Sequence, residues 1–297
     1  MKPLYQHKLL TSFYMWFDHY LLLKGDAYQN FDTSLFNYSD EQITNKTIFG
    51  SPYKQWVYDK SVRDATLVRP PDNIPGVPVI YGGEGEILSP GTSGLIVDYE
   101  NGRVLFDDTV IPGSPGMVTA KYSVKNFNTY VSNQDEESLI IAGKHKVNAR
   151  YITGLETYIP PYDEVVPAAF LAATTTNNEP FALGGEDNTI SHMSAVCFAE
   201  NTYQLDGILS IFADASKEVF HGIPYSGAPL DEFGDIKNSY SSGYDYNNVA
   251  NNFPTDISYI QNTTVSKISD RMDKFIPAPV YVGFIDFEIN KYRFPRQ

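Results

Sequence analysis

Three acidic residues close together in the chain, Asp98, Asp107 and Asp108, come nearest to a catalytic pattern. Two carboxylates at a suitable separation are sufficient for glycoside hydrolysis. The same oxygens could instead hold a calcium ion weakly. Because the chain has 36 Asp and Glu residues, such clusters also arise without a function. We therefore predict no catalytic, metal-binding or cofactor-binding residue.

The histidine, cysteine and glycine residues also form no recognisable motif. No pair of histidines has the spacing of a metal site. The histidines are His7, His19, His145, His192 and His221. Cys197, the one cysteine, lies in an apolar run at 195–199 that predicts a buried strand. The glycine-rich stretch at 82–85 is followed by neither Lys-Ser/Thr nor a predicted helix, so it does not predict a phosphate site. The sequence favours a protein that is not an enzyme.

The excess of acidic residues restricts the partners that the protein can bind. Lys and Arg total 22 against 36 Asp and Glu, a formal charge of −14 that is spread along the chain. Such a surface repels nucleic-acid phosphates, so we expect no nucleic-acid binding. An acidic lining would still suit a pore that passes DNA only as non-specific cargo. The start, Met1-Lys2-Pro3-Leu4, has no signal-peptide pattern, and the apolar stretches are too short for a membrane span. We expect no membrane partner.

The elements that position these residues begin with an N-terminal helix. Residues 4–24 place apolar side chains at three- and four-residue steps, and Gly25 follows where a helix would end. The apolar stripe is wide, so the helix must be covered on more than one side. A second subunit and another part of the same chain are equally able to cover it. The helix therefore supplies three candidate interface residues, Phe13, Trp16 and Tyr20.

The clearest local signal is a hairpin. The pair Asn101-Gly102 predicts a two-residue type I′ turn, which needs a positive φ at both central positions. This turn would set Val97 opposite Phe106. One face of the hairpin would be apolar and would consist of Leu95, Val97, Tyr99, Val104 and Phe106. The other face would present Asp98, Glu100, Arg103 and Asp107 to solvent. A third strand is predicted at 117–124.

The second half has the pattern of strand, helix and strand. A strand is predicted at 191–200, and Asn201 or Thr202 can begin a helix whose apolar spacing runs to Val219. A final strand at 279–289 is predicted to close a sheet.

Between the helix and that strand, residues 238–252 form a polar loop rich in Tyr, Asn and Ser, the composition of adaptable binding surfaces. Tyr244 and Tyr246 in this loop are further candidate interface residues. The loop could equally be packed or disordered.

Together these elements predict an α+β protein in three parts. The first part, 1–60, is a helix followed by an irregular arm. The second, 61–145, is an antiparallel β-domain that contains the Asn-Gly hairpin. The third, 146–297, is an α+β domain.

Four segments of the third part carry a resemblance to a known class of protein. They are the proline-led strand at 166–171, the step at 181–185, the strand that ends at Phe198-Ala199, and the helix at 205–209. These segments resemble the head-to-tail connection proteins of tailed bacteriophages, in particular the neck or tail-terminator class. In that class a small α/β unit forms a ring at the top of the tail. The resemblance covers about half of the chain and implies that 146–297 is a ring-forming, tail-terminator-like domain.

The resemblance implies a virion structural protein of the phage neck, assembled in the host cytoplasm. It would form a homo-oligomeric ring through which DNA passes, with six copies favoured over twelve. Its partners would be further copies of itself, the connector or portal adaptor, the tail tube and the sheath. A second hypothesis is a capsid decoration or receptor-binding module whose loop at 238–252 recognises a glycan. Neither hypothesis implies a cofactor.

Overall fold

The computed structural model is an α+β protein. It describes residues 5–41, 43–63, 66–69, 94–107, 118–132, 134, 136–142, 164–182, 184–231, 236–240, 242–268 and 280–295. These ranges contain four α-helices and two six-stranded sheets. The predicted fold class is confirmed at this level.

The first sheet is built from the first half of the chain. Its strands are β1 (Tyr28–Tyr38), β2 (Lys46–Gly50), β3 (Leu67–Arg69), β4 (Leu95–Asp98), β5 (Arg103–Asp107) and β6 (Val118–Lys125). They pair antiparallel in the order β3-β6-β1-β2-β5-β4. The predicted irregular arm is therefore wrong, because β1 and β2 are inner strands. In β1, Phe31 and Leu35 alternate with exposed Asp32 and Ser34, the pattern of a strand with one covered face.

The predicted hairpin is present, but its register differs by two residues. Val97 pairs with Val104 instead of Phe106, and the loop contains the four residues 99–102. A shift of two leaves every side chain on its predicted face, because side chains alternate with a period of two. The predicted apolar face is indeed buried and comprises Leu95, Val97, Tyr99, Val104 and Phe106.

Contacts from a distant segment explain the longer loop. The backbone N–H groups of Gln55 and Trp56 donate to the carbonyls of Glu100 and Tyr99 at 2.8 and 2.7 Å. These bonds hold the loop carbonyls out of the hairpin ladder, so a two-residue turn does not form.

The structure corrects the prediction for one residue of the polar face, Arg103. It was expected in solvent, but it is only 3% exposed. Its Nη1 donates to Asp40 at 2.6 Å and its Nε donates to Asp98 at 2.7 Å. Two carboxylates therefore compensate for the desolvation of the guanidinium.

The second sheet contains the longest strands of the protein. Its members are β7 (Asn128–Val131), β8 (Ala168–Ala182), β9 (Glu186–Ala199), β10 (Val219–His221), β11 (Ile257–Lys267) and β12 (Tyr281–Arg293). Their order is β10-β11-β12-β9-β8-β7, with β7 parallel to β8 and the other pairs antiparallel. The final strand, β12, is an inner strand and does not close the sheet. The predicted boundary at residue 145 is also wrong, because β7 lies in this sheet.

The four helices are α1 (Tyr5–Gly25), α2 (Glu136–Ala142), α3 (Thr202–Ala213) and α4 (Tyr246–Asn251). The predicted N-terminal helix is confirmed as α1. The predicted start of α3 is confirmed as well, because the Asn201 side chain caps it by accepting from the backbone N–H of Gln204 at 2.9 Å. Its predicted end is wrong, since Val219 lies in β10. In the described parts of the chain no helix is long and apolar enough to cross a membrane.

The largest hydrophobic core lies between one face of the second sheet and the helices α1 and α3. Phe17 of α1 stacks on Phe212 of α3 with ring centroids 4.0 Å apart, and Phe287 of β12 meets the Phe212 ring edge-on at 5.8 Å. Aromatic rings contribute large buried areas, so these contacts hold the helices on the sheet. The cover that α1 requires therefore comes from its own chain.

A buried ion pair connects this core to the first sheet. Lys125, the last residue of β6, donates through Nζ to Asp18 of α1 at 2.6 Å. Thr129 of β7 donates through Oγ1 to the same carboxylate oxygen at 2.6 Å. The side chains of Lys125 and Asp18 are 0% and 2% exposed. The pair therefore joins the two sheets where the chain passes from one to the other.

Gly102 provides a test of the loop geometry. Its φ is +61°, and a Cβ there would lie 1.9 Å from the Tyr53 carbonyl oxygen. Gly102→Ala is expected to lower the free energy of unfolding by at least about 2 kcal/mol, measured by urea denaturation. The matched control is Gly207→Ala on α3, where no atom lies within 4 Å of the new Cβ. It should be neutral or stabilising by up to about 1 kcal/mol. Equal effects of the two substitutions would contradict this geometry.

The buried ion pair is tested by removing its cation. Lys125→Met leaves the Asp18 carboxylate buried without its charged partner, and we expect a loss of about 3–5 kcal/mol in the free energy of unfolding. Adding Asp18→Asn should restore part of that loss, because the unpaired charge disappears. As a control, Lys267→Met removes an exposed pair with Asp206 and should cost no more than about 1 kcal/mol. A loss in Lys125→Met no larger than in the control would overturn this assignment.

Candidate functional site

The acidic residues that resembled a catalytic pair are engaged with cations. Asp98 accepts from Arg103, and Asp107 pairs with Lys46. Asp108 lies outside the described residues. No group of three or more His, Cys, Asp or Glu side chains that could hold a metal ion is found in the part of the chain that the structure describes.

Cys197 has the structural position that its sequence context predicts. It lies in β9 and is completely buried. Burial disfavours the thiolate and raises the pKa of the Cys197 thiol above its ordinary value. The side chain is a core hydrophobe in this structure.

The candidate interface residues of α1 are core residues. Phe13 is 0%, Trp16 is 4% and Tyr20 is 8% exposed, and all three pack in the core between the helices and the second sheet. Their rings contact other aromatic side chains of the same chain. Of the two kinds of cover that the sequence left open for these candidate interface residues, the structure shows cover by the same chain.

The tyrosine-rich loop at 238–252 is also packed within the chain. Its described residues include a short 3-10 turn and α4, and Tyr244 and Tyr246 are only 3% and 6% exposed. The backbone of Tyr244 bonds to the segment 58–60, accepting from Lys60 N at 2.6 Å. Asp245 caps α4 by accepting from the backbone N–H of Asn248 at 2.9 Å. Asp245 thus serves local capping, and these two tyrosines are not presented to a ligand.

A buried polar network lies beneath this loop. The Asp59 carboxylate accepts from His19 Nδ1 at 2.7 Å, from Ser61 Oγ at 2.7 Å and from Tyr246 N at 3.1 Å. Burial acts to raise the pKa of Asp59, but hydrogen bonds from His19, Ser61 and Tyr246 outweigh burial and hold that pKa below its ordinary value.

The composition of this network is that of a catalytic triad, but its geometry is different. In a triad the histidine contacts the acid through one ring nitrogen and the serine through the other. Here Ser61 donates to Asp59 and approaches the same His19 nitrogen, Nδ1, at 3.4 Å. Since one nitrogen faces both partners, this arrangement does not align His19 to activate Ser61. The network joins α1, the segment after β2, and α4.

The surface that the sequence did not single out is formed by the four long strands β8, β9, β12 and β11. One face of these strands is covered by α1 and α3. Side chains on the opposite face are mostly polar toward the middle of the sheet, and we call this the polar face. It contains Thr175, Asn177, His192, Asn262, Thr264, Asp286 and Glu288. At one end of this face a smaller apolar cluster packs beneath α2.

Acidic groups dominate the charges of the polar face. Asp286 is exposed, and Glu288 lies directly opposite His192 of the neighbouring strand. Partial burial raises the pKa of Asp286, and the nearby His192 opposes that shift. The face therefore offers acid and amide groups toward solvent and no described lysine or arginine near its centre.

Two long strand edges border the polar face. β7 pairs with β8 only over Ala168–Leu171, and β10 pairs with β11 only over Ile257–Tyr259. Among the described residues, no strand pairs with the outer sides of 172–182 and 261–267, whereas the backbone of Ile260 bonds to Lys217 and Glu218. Unpaired edges of this length are sites at which another strand can add. Period-two patterns reveal such strands in a sequence, but not which of them lie at an edge.

The chain was compared with known proteins, and neither a family model nor a curated protein matches it.

The Asp59 network predicts a specific pH dependence. The pKa of Asp59 is lower in the folded state, so the ionised group stabilises the fold above its unfolded pKa of about 3.9. This contribution disappears as the pH falls through the folded pKa. Asp59→Asn should therefore lower the free energy of unfolding at pH 7, and the gap to wild type should narrow below about pH 4. Urea unfolding at a series of pH values measures both.

The matched control for this experiment is Asp206→Asn. Asp206 forms an exposed pair with Lys267, so its substitution should change the free energy of unfolding by no more than about 0.5 kcal/mol at pH 7. A gap between Asp59→Asn and wild type that is constant from pH 7 to pH 2.5 would refute the assigned role of Asp59.

Proposed function

We propose that this protein is a non-catalytic virion structural protein of the bacteriophage neck, forming a homo-oligomeric ring through which DNA passes. The observation that carries the proposal is the sheet of four long strands, with α1 and α3 on one face and a polar acidic face on the other. Within the described ranges this sheet has an unpaired edge on each side. A subunit with two different free edges can join copies head to tail, which is how rings are built. The resemblance of the 146–297 domain to tail-terminator proteins supports the same conclusion.

The acidic character of the protein suits the passage of DNA. The formal charge is −14, and Asp286 and Glu288 extend it onto the polar face. Phosphates are repelled by such a surface, so DNA can slide past without forming the cation contacts that dominate non-specific binding.

The partners in this proposal are further copies, six in the ring, together with the connector or portal adaptor, the tail tube and the sheath. The protein is assembled in the host cytoplasm and resides in the virion. We do not propose the glycan-binding alternative, because the tyrosines of the 238–252 loop, Tyr244 and Tyr246, are buried.

The mass of the purified protein tests this proposal. The chain has a mass of 33.3 kDa, so a six-membered ring has a mass of about 200 kDa, measurable by light scattering and native mass spectrometry. Assembly is expected to increase with protein concentration, and negative-stain images should show rings. Mixing with double-stranded DNA at 150 mM salt should give no retained complex. A monomer at every concentration, with no affinity for connector, tube or sheath proteins, would refute the proposed function.

A further inference from the structure

We propose that neighbouring copies join by antiparallel strand addition, in which the edge of β8 pairs with the edge of β11 of the next copy. We call these edges free because no other strand in the described part of the chain pairs with them beyond β7 and β10. The inference rests on the proposed ring function and specifies the surface that builds the ring. The occupant of each edge is therefore a second copy of this chain.

The two edges match in length and composition. The free part of β8 extends from Ala172 to Pro180, where the missing N–H of proline ends a ladder. The free part of β11 extends over 261–267, because the backbone of Ile260 is bonded to Lys217 and Glu218. Both are rich in Thr and Asn, and each has one charged residue, Glu179 on β8 and Lys267 on β11. Features that oppose strand addition are confined to single positions: Pro180 and two register shifts on β8, and Lys267 and one register shift on β11. Both edges are long.

The strand directions suit a head-to-tail contact. Three antiparallel steps lead from β8 through β9 and β12 to β11, so β8 and β11 run in opposite directions. When the next copy continues the same sheet, its β11 lies antiparallel to β8. The contact uses two different edges, so every copy keeps one of each for its neighbours, and the chain of copies can close into a ring.

The faces of the sheet restrict the register. Residues directly opposite each other on neighbouring strands point to the same face. Asn177 lies on the polar face through its pairing with Ile190, and Thr264 lies there through its pairing with Asp286. Thr176 pairs with Ser191 on the helix-covered face. Asn177 can therefore lie opposite Thr264, but Thr176 cannot.

The position of β7 selects the register further. Because β7 occupies β8 as far as Leu171, the incoming strand must pair beyond that residue. Setting Asn177 opposite Thr264 begins the new ladder just after β7 and ends it near Pro180. Thr175 then lies opposite Ser266 of the next copy. Within one copy, the register partners that lead from Thr175 across β9 and β12 end at Asn262 of β11.

This register produces a tilt that suits a closed assembly. The contact between copies is therefore displaced along the strand direction by the four residues from Asn262 to Ser266, or about 14 Å, for each copy. The four strands of one copy are about 19 Å wide in the perpendicular direction. The strands would tilt from the ring axis by about 35°, within the range of closed cylindrical sheets. Six copies would enclose a cylinder about 45 Å across between backbones.

The same arrangement decides which face points inward. The helices α1 and α3 form the thicker layer and need the space of the outer, wider side of a cylinder, whereas α2 occupies only one end of the other face. The polar face therefore lines the lumen, with Asp286 and Glu288 directed toward the DNA.

Paired cysteines test the contact and its register in the full chain. Asn177→Cys combined with Thr264→Cys should give, on mild oxidation, a ladder of covalent multimers on a non-reducing gel. The control is Thr176→Cys combined with Thr264→Cys, whose side chains point to opposite faces and should give at least tenfold less product. Native Cys197 can remain, since it is fully buried. Each single variant alone should stay uncrosslinked.

A charge at the edge gives an independent measurement. Asn177→Lys places a lysine inside the ladder, and assembly should weaken at least tenfold in concentration-dependent light scattering. Asn251→Lys, at the exposed end of α4, should change assembly by less than about twofold.

The outcomes separate this inference from the proposed function. Rings that form without the covalent ladder would overturn the edge contact and leave the ring proposal standing. Dimers from Asn177→Cys alone would overturn it too, because they indicate a two-fold pairing of β8 with β8. Wild-type protein that never assembles would refute the proposed function and the edge contact together.

Discussion

The buried pair between Asp18 and Lys125 is the interaction on which the rest of the structure depends. Both charges are removed from water, and each is tolerated only because the other is present. Asp18 belongs to the helix at the centre of the larger core, and Lys125 ends the last strand of the first sheet. Thr129 joins the same carboxylate from the first strand of the second sheet. The pair thus determines where the first sheet meets the helix and where the chain enters the second sheet.

The two faces of the larger sheet therefore differ in the residues that cover them. The aromatic side chains of α1 and α3 fill one face, so the opposite face is left to polar residues and to the small cluster under α2. The short flanking strands β7 and β10 cover only part of the neighbouring edges. The proposed neck ring rests on this combination of a polar acidic face and two edges that no described strand fully covers.

Polar composition in this chain is also used internally. The composition of the tyrosine-rich segment is typical of binding surfaces. In the structure, however, Tyr246 of this segment donates its backbone N–H to Asp59 and stacks its ring on His19. Arg103 likewise serves inside the first sheet, between two carboxylates. Both cases show polar groups that specify how buried segments meet, since each unsatisfied group would cost free energy.

The sequence by itself determined the features that depend on neighbouring residues. These are the helix α1, the Asn201 cap of α3, the apolar face of the hairpin and the burial of Cys197, because periodicity and capping act within a few residues. Tertiary structure alone decided the hairpin register, the sheet membership of β1 and β7, and the burial of the five candidate interface aromatics. The candidate assembly edges belong to this second group. Which surface covers a helix, and which strand lies at an edge, depends on pairings between residues far apart in the chain, and local patterns carry no record of them.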